Sequence, residues 1–397
     1  MTEPLSPARL RGLDLMRAAA ILLVLMSHYM GFVSHAPTFG VVGQVGWAGV
    51  DLFFVLSGYL IGNQLLAPAA RGEPLPLKTF FVRRLLRTLP NYYVVLAVYW
   101  LFPGPPLGGS GMAEPWRFLT FTQNFGLAYG QTFTHSWSLC IEEQFYLLLP
   151  LVVLAFVRIG FPVRLAWGLL AGAIAAGMAT RAAAYALHGH DAFMAEVYYS
   201  SFCRADELLP GVAIALLRNV HPLAFARLLR RANALCAAGL LLSVGILTCI
   251  HLDWPATSIT STFGFSVLAI GFALLTCAAL SPACILNRLG IPGVPQLALW
   301  SYAVYLVHKP VFMALRPQLE RLHIDANAPA TVVVVMAAGI AGGWVLYRCV
   351  ETPFMRLRAR WTATRDATHG VQAVSGGGTQ PARLAEGGRV AARHARP

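Results

Sequence analysis

The stretch LDLMRAAAILLVLMSHYM, Leu13 to Met30, is an apolar run that carries an arginine, Arg17, and a histidine, His28. Eleven residues separate the two. At ~100° per residue they share a helix face to within ~20°, one about three turns (~16 Å) from the other. A permanent charge and a titratable ring on one stripe of a greasy helix are costly against lipid, so such groups usually face a protein interior. Arg17 also suits a snorkelling anchor, and His28 a packed core histidine. Either way the stretch reads as the first span of a membrane domain.

The composition agrees. Of 397 residues, 57% are hydrophobic and 12% charged, against ~25% charged in a soluble domain. The apolar runs recur regularly and predict an all-α, polytopic membrane protein of about ten spans: 14–34, 47–66, 89–106, 136–157, 164–187, 197–217, 232–250, 258–280, 297–315 and 329–350. Residues 1–361 form the membrane domain. The Gly-, Ala- and Arg-rich 362–397 has no apolar period and reads as a disordered polar tail. The net charge of +13 is scattered through short loops rather than gathered in a patch, which argues topology and excludes a nucleic-acid footprint.

The scatter alternates. Arg9 and Arg11, the group from Arg71 to Arg87, Arg158 with Arg164, the group from Arg218 to Arg231, Arg288, and Arg356 with Arg358 and Arg360 occupy one set of loops. The other set is nearly bare, with Arg117, Arg316 and Arg321. This pattern implies an even number of spans with both termini cytoplasmic, in a bacterial-type inner (plasma) membrane. Seven cysteines without metal-ligand spacing read as small core residues, and no metal site is expected.

Several polar groups interrupt the apolar runs. Asp51, Ser57 and Gly58 lie in GVDLFFVLSGYLI, Gly49 to Ile61; an acid here either caps a helix or works inside the bundle. Arg84 and Arg87 are spaced i, i+3, a spacing that suits phosphate as well as a headgroup anchor. The fourth span opens HSWSLCIEEQFY, with Ser138, Glu142, Glu143 and Tyr146 in its first turns. Counted from the span edges, Glu143 and His28 fall at similar depth, so Glu143 could orient His28 as carboxylates do for a working imidazole. Arg204, Asp206 and Glu207 break the sixth span, and His308 with Lys309 sit in the ninth.

Five of these features, taken in order, resemble the acyltransferase 3 family of integral-membrane O-acyltransferases: Arg17 with His28; Gly49 to Ile61; Arg84 with Arg87 before Pro90; WSLxxEEQFY from Trp137 to Tyr146; and SYxxYLxHxP from Ser301 to Pro310. The resemblance covers about residues 8–355. Cys140 stands where serine is frequent. The chain looks like the stand-alone form, without an SGNH-type esterase domain.

The resemblance implies an acyl-CoA-dependent enzyme that uses acetyl-CoA or a longer acyl-CoA as co-substrate and binds no cofactor. The acceptor would be a hydroxyl on a glycan, lipid-linked sugar or small molecule, as in polysaccharide O-acetylation. Arg17, Arg84, Arg87, Ser138 and Tyr146 would serve the donor, and His28, Glu143 and Asp51 the chemistry, with His28 as general base or transient acyl carrier. The contrasting reading is a transporter or flippase with a proton relay of intramembrane Arg, His and Glu. The absence of related halves weighs against it. The topology is directly testable: alkaline phosphatase fused to the C-terminus should be inactive, and an active fusion would overturn the even span count.

Overall fold

Each apolar run forms helix, because a backbone in lipid must satisfy its own hydrogen bonds. The computed structural model describes residues 10–102, 104, 107, 109–253 and 257–362. Arg9 and 363–397 of the expected tail lie outside the described residues. The main helices are α1 (Arg11–Tyr29), α2 (Ala48–Ala70), α3 (Leu77–Leu101), α4 (Trp137–Arg158), α5 (Val163–His188), α6 (Leu209–Val220), α7 (Ala232–Leu252), α8 (Phe265–Ala279), α9 (Val294–Arg321) and α10 (Pro329–Leu346). No strand occurs among the described residues.

Among the described residues, seven helical segments are long and apolar enough to cross a membrane: those built on α1, α2, α4, α5, α7, α8 and α10. An eighth, Ser201–Val220 with Pro222–Leu229, bends by 114°. Helices α3 and α9 are long too, but more polar: α3 opens with Lys78, Arg83, Arg84 and Arg87, and α9 carries Lys309, Arg316, Glu320 and Arg321.

Helix α2 is the hub, packed against α1, α4, α6 and α8, while α9 lies between α1 and α10. Its glycines explain the closeness. A Cβ on Gly49 would strike the Ala20 carbonyl of α1, and one on Gly58 the Leu208 carbonyl at the start of α6. Small residues let backbones approach this closely in membrane bundles. Leu169, Leu240, Leu241 and Val244 of the outer helices α5 and α7 stay exposed, as a lipid-facing wall requires.

The sixth span is irregular for a local reason. Before α6 the chain runs through a π turn (Phe193–Tyr198), a helical turn (Ser201–Arg204) and a 3-10 turn (Ala205–Leu208). Such backbone is tolerated at depth only inside protein, and its charges are paired there. Arg204 donates to Asp51 of α2 at 2.8 Å and to Glu207. Arg181 of α5 donates to both carboxylate oxygens of Asp206, at 2.6 and 3.0 Å, to the Thr262 carbonyl at 3.1 Å and to Ser266.

Removing one member of a buried pair strands the other, at ~3–5 kcal/mol, whereas replacing both with apolar residues can be neutral. Arg181→Met should therefore lower the thermal midpoint of the detergent-solubilised protein sharply, and adding Asp206→Leu should restore most of the loss. Equal midpoints for wild type and Arg181→Met would remove the pair from the stability of the bundle.

Candidate active site

His28 closes α1 and is half-buried. Its Nδ1 lies 2.6 Å from Nε2 of His308 on α9. The two rings are within 11° of parallel with centroids 4.9 Å apart, which with that bond places them edge to edge rather than face to face. The tautomers follow from the next link. His308 Nδ1 is 3.0 Å from the Val304 carbonyl, which can only accept. Neutral His308 therefore carries its proton on Nδ1 and offers a bare Nε2. His28 donates to it from Nδ1, so the free lone pair of His28 is on Nε2.

A third imidazole completes the cluster. His135 stands one helical turn before α4, its centroid 6.4 Å from that of His28 and 5.4 Å from that of His308. Its Nε2 donates to the Leu306 carbonyl at 3.1 Å, while its buried Nδ1 has no partner among the described residues. Among those residues no group of three or more His, Cys, Asp or Glu is placed to hold a metal ion.

His28 and His135 line a cavity of about 610 Å³, called here the outer cavity, with Trp47, Trp137, Tyr198, Tyr305, Lys309 and Arg316 also on its wall. A second cavity of about 270 Å³, the inner one, is lined by Arg17, Arg84, Arg87, Ser57, Ser138 and Glu142 among others. Val50 and Tyr305 line both. They are the wall between the two. Tyr305 is pinned there: its hydroxyl donates to the His135 carbonyl at 2.6 Å and accepts from Ser138 at 2.7 Å.

The donor-side residues expected from sequence thus converge. Arg17, Arg84, Arg87 and Ser138 face the inner cavity, and Tyr146 lies beneath Arg84, whose guanidinium carbon is 3.4 Å from the ring centroid. Arg84 Nε is buried without a partner among the described residues.

The expected catalytic trio does not converge. Glu143 is not beside His28. His28 is level with His135, and Glu143 is eight residues further along α4, a rise of ~12 Å; it lines a separate crevice with Arg84, Tyr93 and Tyr146. The span-edge count misjudged this depth because it started the span at 136 without fixing which residue lay level with His28. The neighbouring Glu142 faces the inner cavity instead, accepting from Ser57 at 2.6 Å. Asp51 is fully buried and paired with Arg204, and it is not among the residues that line the cavity with His28.

Sequence reasoning left His308 without a role and passed over His135. His135 stands in HSWSL and His308 in YLVHKP, and only the fold brings them to His28.

The chain matches the family model for an acyltransferase domain of the acyltransferase 3 type over residues 10–348. Among curated proteins it is 30% identical, over 87% of its length, to a peptidoglycan O-acetyltransferase of Listeria monocytogenes, of which it covers 56%. It is 29% identical, over 78% of its length, to a putative peptidoglycan O-acetyltransferase of Bacillus subtilis, of which it covers 49%. To a putative O-acetyltransferase of Staphylococcus aureus (strain COL) it is 25% identical, over 87% of its length and 57% of that protein. The chain spans about half the length of these curated relatives. No solved structure matches it significantly. With the family model aligned to nearly all of the helical bundle described above, the chain belongs to the acyltransferase 3 family.

Proposed function

We propose that this protein is a membrane O-acyltransferase that moves an acyl group, acetyl in the simplest case, from acyl-CoA to a hydroxyl of a glycan. The observation that carries the reading is the pair of cavities: one with three guanidinium groups, the other with a bare imidazole nitrogen, divided by Val50 and Tyr305. Relatives named as O-acetyltransferases of peptidoglycan support the same chemistry.

On this reading the inner cavity opens to the cytoplasm of the plasma membrane. Arg84 and Arg87 hold CoA phosphates through charge-assisted hydrogen bonds, Arg84 kept flat by the Tyr146 ring, and Arg17 lines the path of the pantetheine arm. The thioester reaches the wall, and the acceptor hydroxyl comes from the outer cavity. His28 Nε2 takes the hydroxyl proton as the oxygen attacks the thioester carbonyl. The C–O bond forms, the C–S bond breaks, and the proton passes to the departing CoA thiolate. His308 holds the reacting tautomer, because a bare Nε2 on His308 requires the proton of His28 to stay on Nδ1. Glu142 with Ser57 adds a carboxylate to the donor cavity, where it offsets one of the three arginine charges and leaves the cavity net positive.

Two measurements test this. A positioned base contributes ~10²–10⁴-fold in rate, so His28→Ala should cut transfer of label from acetyl-CoA to hydroxyl-linked ester by about a hundredfold or more while the protein still accumulates in membranes. Residual transfer above a tenth of wild type would take His28 out of the reaction. Loss of two charge-assisted contacts, each worth ~1.5–3 kcal/mol, should raise KM for acyl-CoA in the Arg84→Ala, Arg87→Ala double variant by more than tenfold and leave KM for the acceptor largely alone. An unchanged donor KM would sink the phosphate grip.

A further inference from the structure

Lys309 follows His308 on α9 and is 1% exposed. Its ammonium lies 4.9 Å from the centroid of the Phe32 ring. Among the described residues it has no ion-pair or hydrogen-bond partner. A buried ammonium without an anion is an expensive arrangement, and an intramembrane charge of this kind marks a functional position whose partner is to be named. Lys309 lines the outer cavity, where the fixed cations on the wall are Lys309 and Arg316, beside the imidazoles of His28, His35 and His135, and no Asp or Glu lines it among the described residues.

The carboxylates of the sixth-span network do not supply the missing charge. Asp51 and Glu207 are engaged by Arg204, whose guanidinium is packed against the rings of Trp137, Tyr198 and Phe265.

The two cations are ordered. Lys309 and Arg316 are seven residues apart on one helix, which puts them on one stripe to within ~20° and separates them by ~10 Å along the axis. Lys309 adjoins the imidazole pair, and Arg316 marks the outward continuation of the same stripe. Arg316 spends its Nε on Glu320 at 2.8 Å. Aromatic rings, Trp47, Trp137, Tyr198 and Tyr199 among them, share the rest of the lining with smaller side chains such as Val24, Ser27 and Thr134. Flat rings beside fixed cations suit a pyranose that carries an oxyanion.

We infer that the acceptor is an acidic saccharide, whose hydroxyl meets His28 while its carboxylate or phosphate pairs with Lys309, with Arg316 guiding the chain at the rim. The inference rests on the O-acyltransferase reading and goes further by naming the acceptor class. The donor's own phosphates do not explain Lys309, because Lys309 lines the outer cavity and not the inner one, while Arg17, Arg84 and Arg87 line the inner cavity and not the outer one.

The test uses membranes of the source cells carrying the full chain or a variant, with labelled acetyl-CoA. Label transferred in a His28-dependent way should be retained on an anion exchanger at neutral pH. Loss of retention after phosphatase identifies a sugar phosphate, and loss after carbodiimide blocking identifies a carboxylate; both support the inference. Lys309→Met should lower kcat/KM for the acceptor at least tenfold without a matching rise in KM for acetyl-CoA, and Lys309→Arg should keep most of the wild-type value. Arg316→Gln, a rim change with little bearing on folding, should lower it about threefold. A neutral labelled product, or Lys309→Met and Arg316→Gln both within twofold of wild type, overturns the acidic-acceptor inference and leaves the enzyme reading standing. Absence of His28-dependent label in every arm overturns the enzyme reading and this inference together.

Discussion

The bond between Arg204 and Asp51 holds the working parts of this bundle in register. Both side chains are fully buried, and a charge buried inside a membrane bundle needs a partner of opposite sign. Their union fixes the broken sixth span against α2 at the one level where α2 carries Val50, Asp51 and, two turns on, Ser57. Those residues form the cavity wall, the ionic anchor and the partner of Glu142. The irregular backbone before α6 is possible because Arg204 and Arg181 bring the acids beside it into pairs and cap its carbonyls at Tyr198 and Cys203. The close glycine contacts at Gly49 and Gly58 work in the same direction, since they let α1 and the start of α6 touch the α2 backbone.

From that frame the molecule derives two cavities of different electrostatic character. The inner one sets three arginines against the single carboxylate of Glu142, a net positive setting that suits a polyanion. The outer one has Lys309, Arg316 and aromatic rings, with no carboxylate among the described residues of its wall. A site of one sign with low-dielectric walls focuses its field on whatever enters. On the proposed reading, this difference assigns the two substrates to separate cavities by charge placement.

Much of this was legible in the string of residues, and the failures have one cause. Helical periodicity and loop charge give the helices, and side chains that share a helix share a face by arithmetic, so Arg84 with Arg87 and Arg17 with His28 were readable as local facts. Glu143 failed because its assignment needed the axial offset between two different helices. α4 begins two residues after His135, which is level with His28, so its carboxylates lie about two turns further along, and the span edges do not carry that offset. Asp51 failed for a related reason. Its partner, Arg204, is 153 residues away in a span that looked merely interrupted. His308 could be seen as a polar residue in an apolar helix, but its meaning lies in a bond to His28 across 280 residues of sequence. Contacts of that range are properties of the packing, which the sequence specifies only through the whole fold.

The wall between the cavities sets the last condition on the proposed transfer. A permanent opening through the bundle would conduct water and ions, yet a thioester held at Arg84 and Arg87 has to be reached by His28. The wall consists of Val50 and Tyr305, the residues common to both linings. Val50 presents only a short branched side chain. Tyr305 is held by two hydrogen bonds, to the His135 carbonyl and from Ser138, each worth ~1 kcal/mol net. Swinging that ring aside therefore costs on the order of 2 kcal/mol, which corresponds to a minor conformer populated at a few per cent. A barrier of this size keeps the resting protein sealed and is small beside the chemical step of a typical enzyme, ~15 kcal/mol at turnover near ~10 per second. The same two hydrogen bonds run from Ser138 in the donor cavity to His135 in the imidazole cluster, so displacement of Tyr305 by an arriving acyl group would be felt directly at the backbone that carries His135.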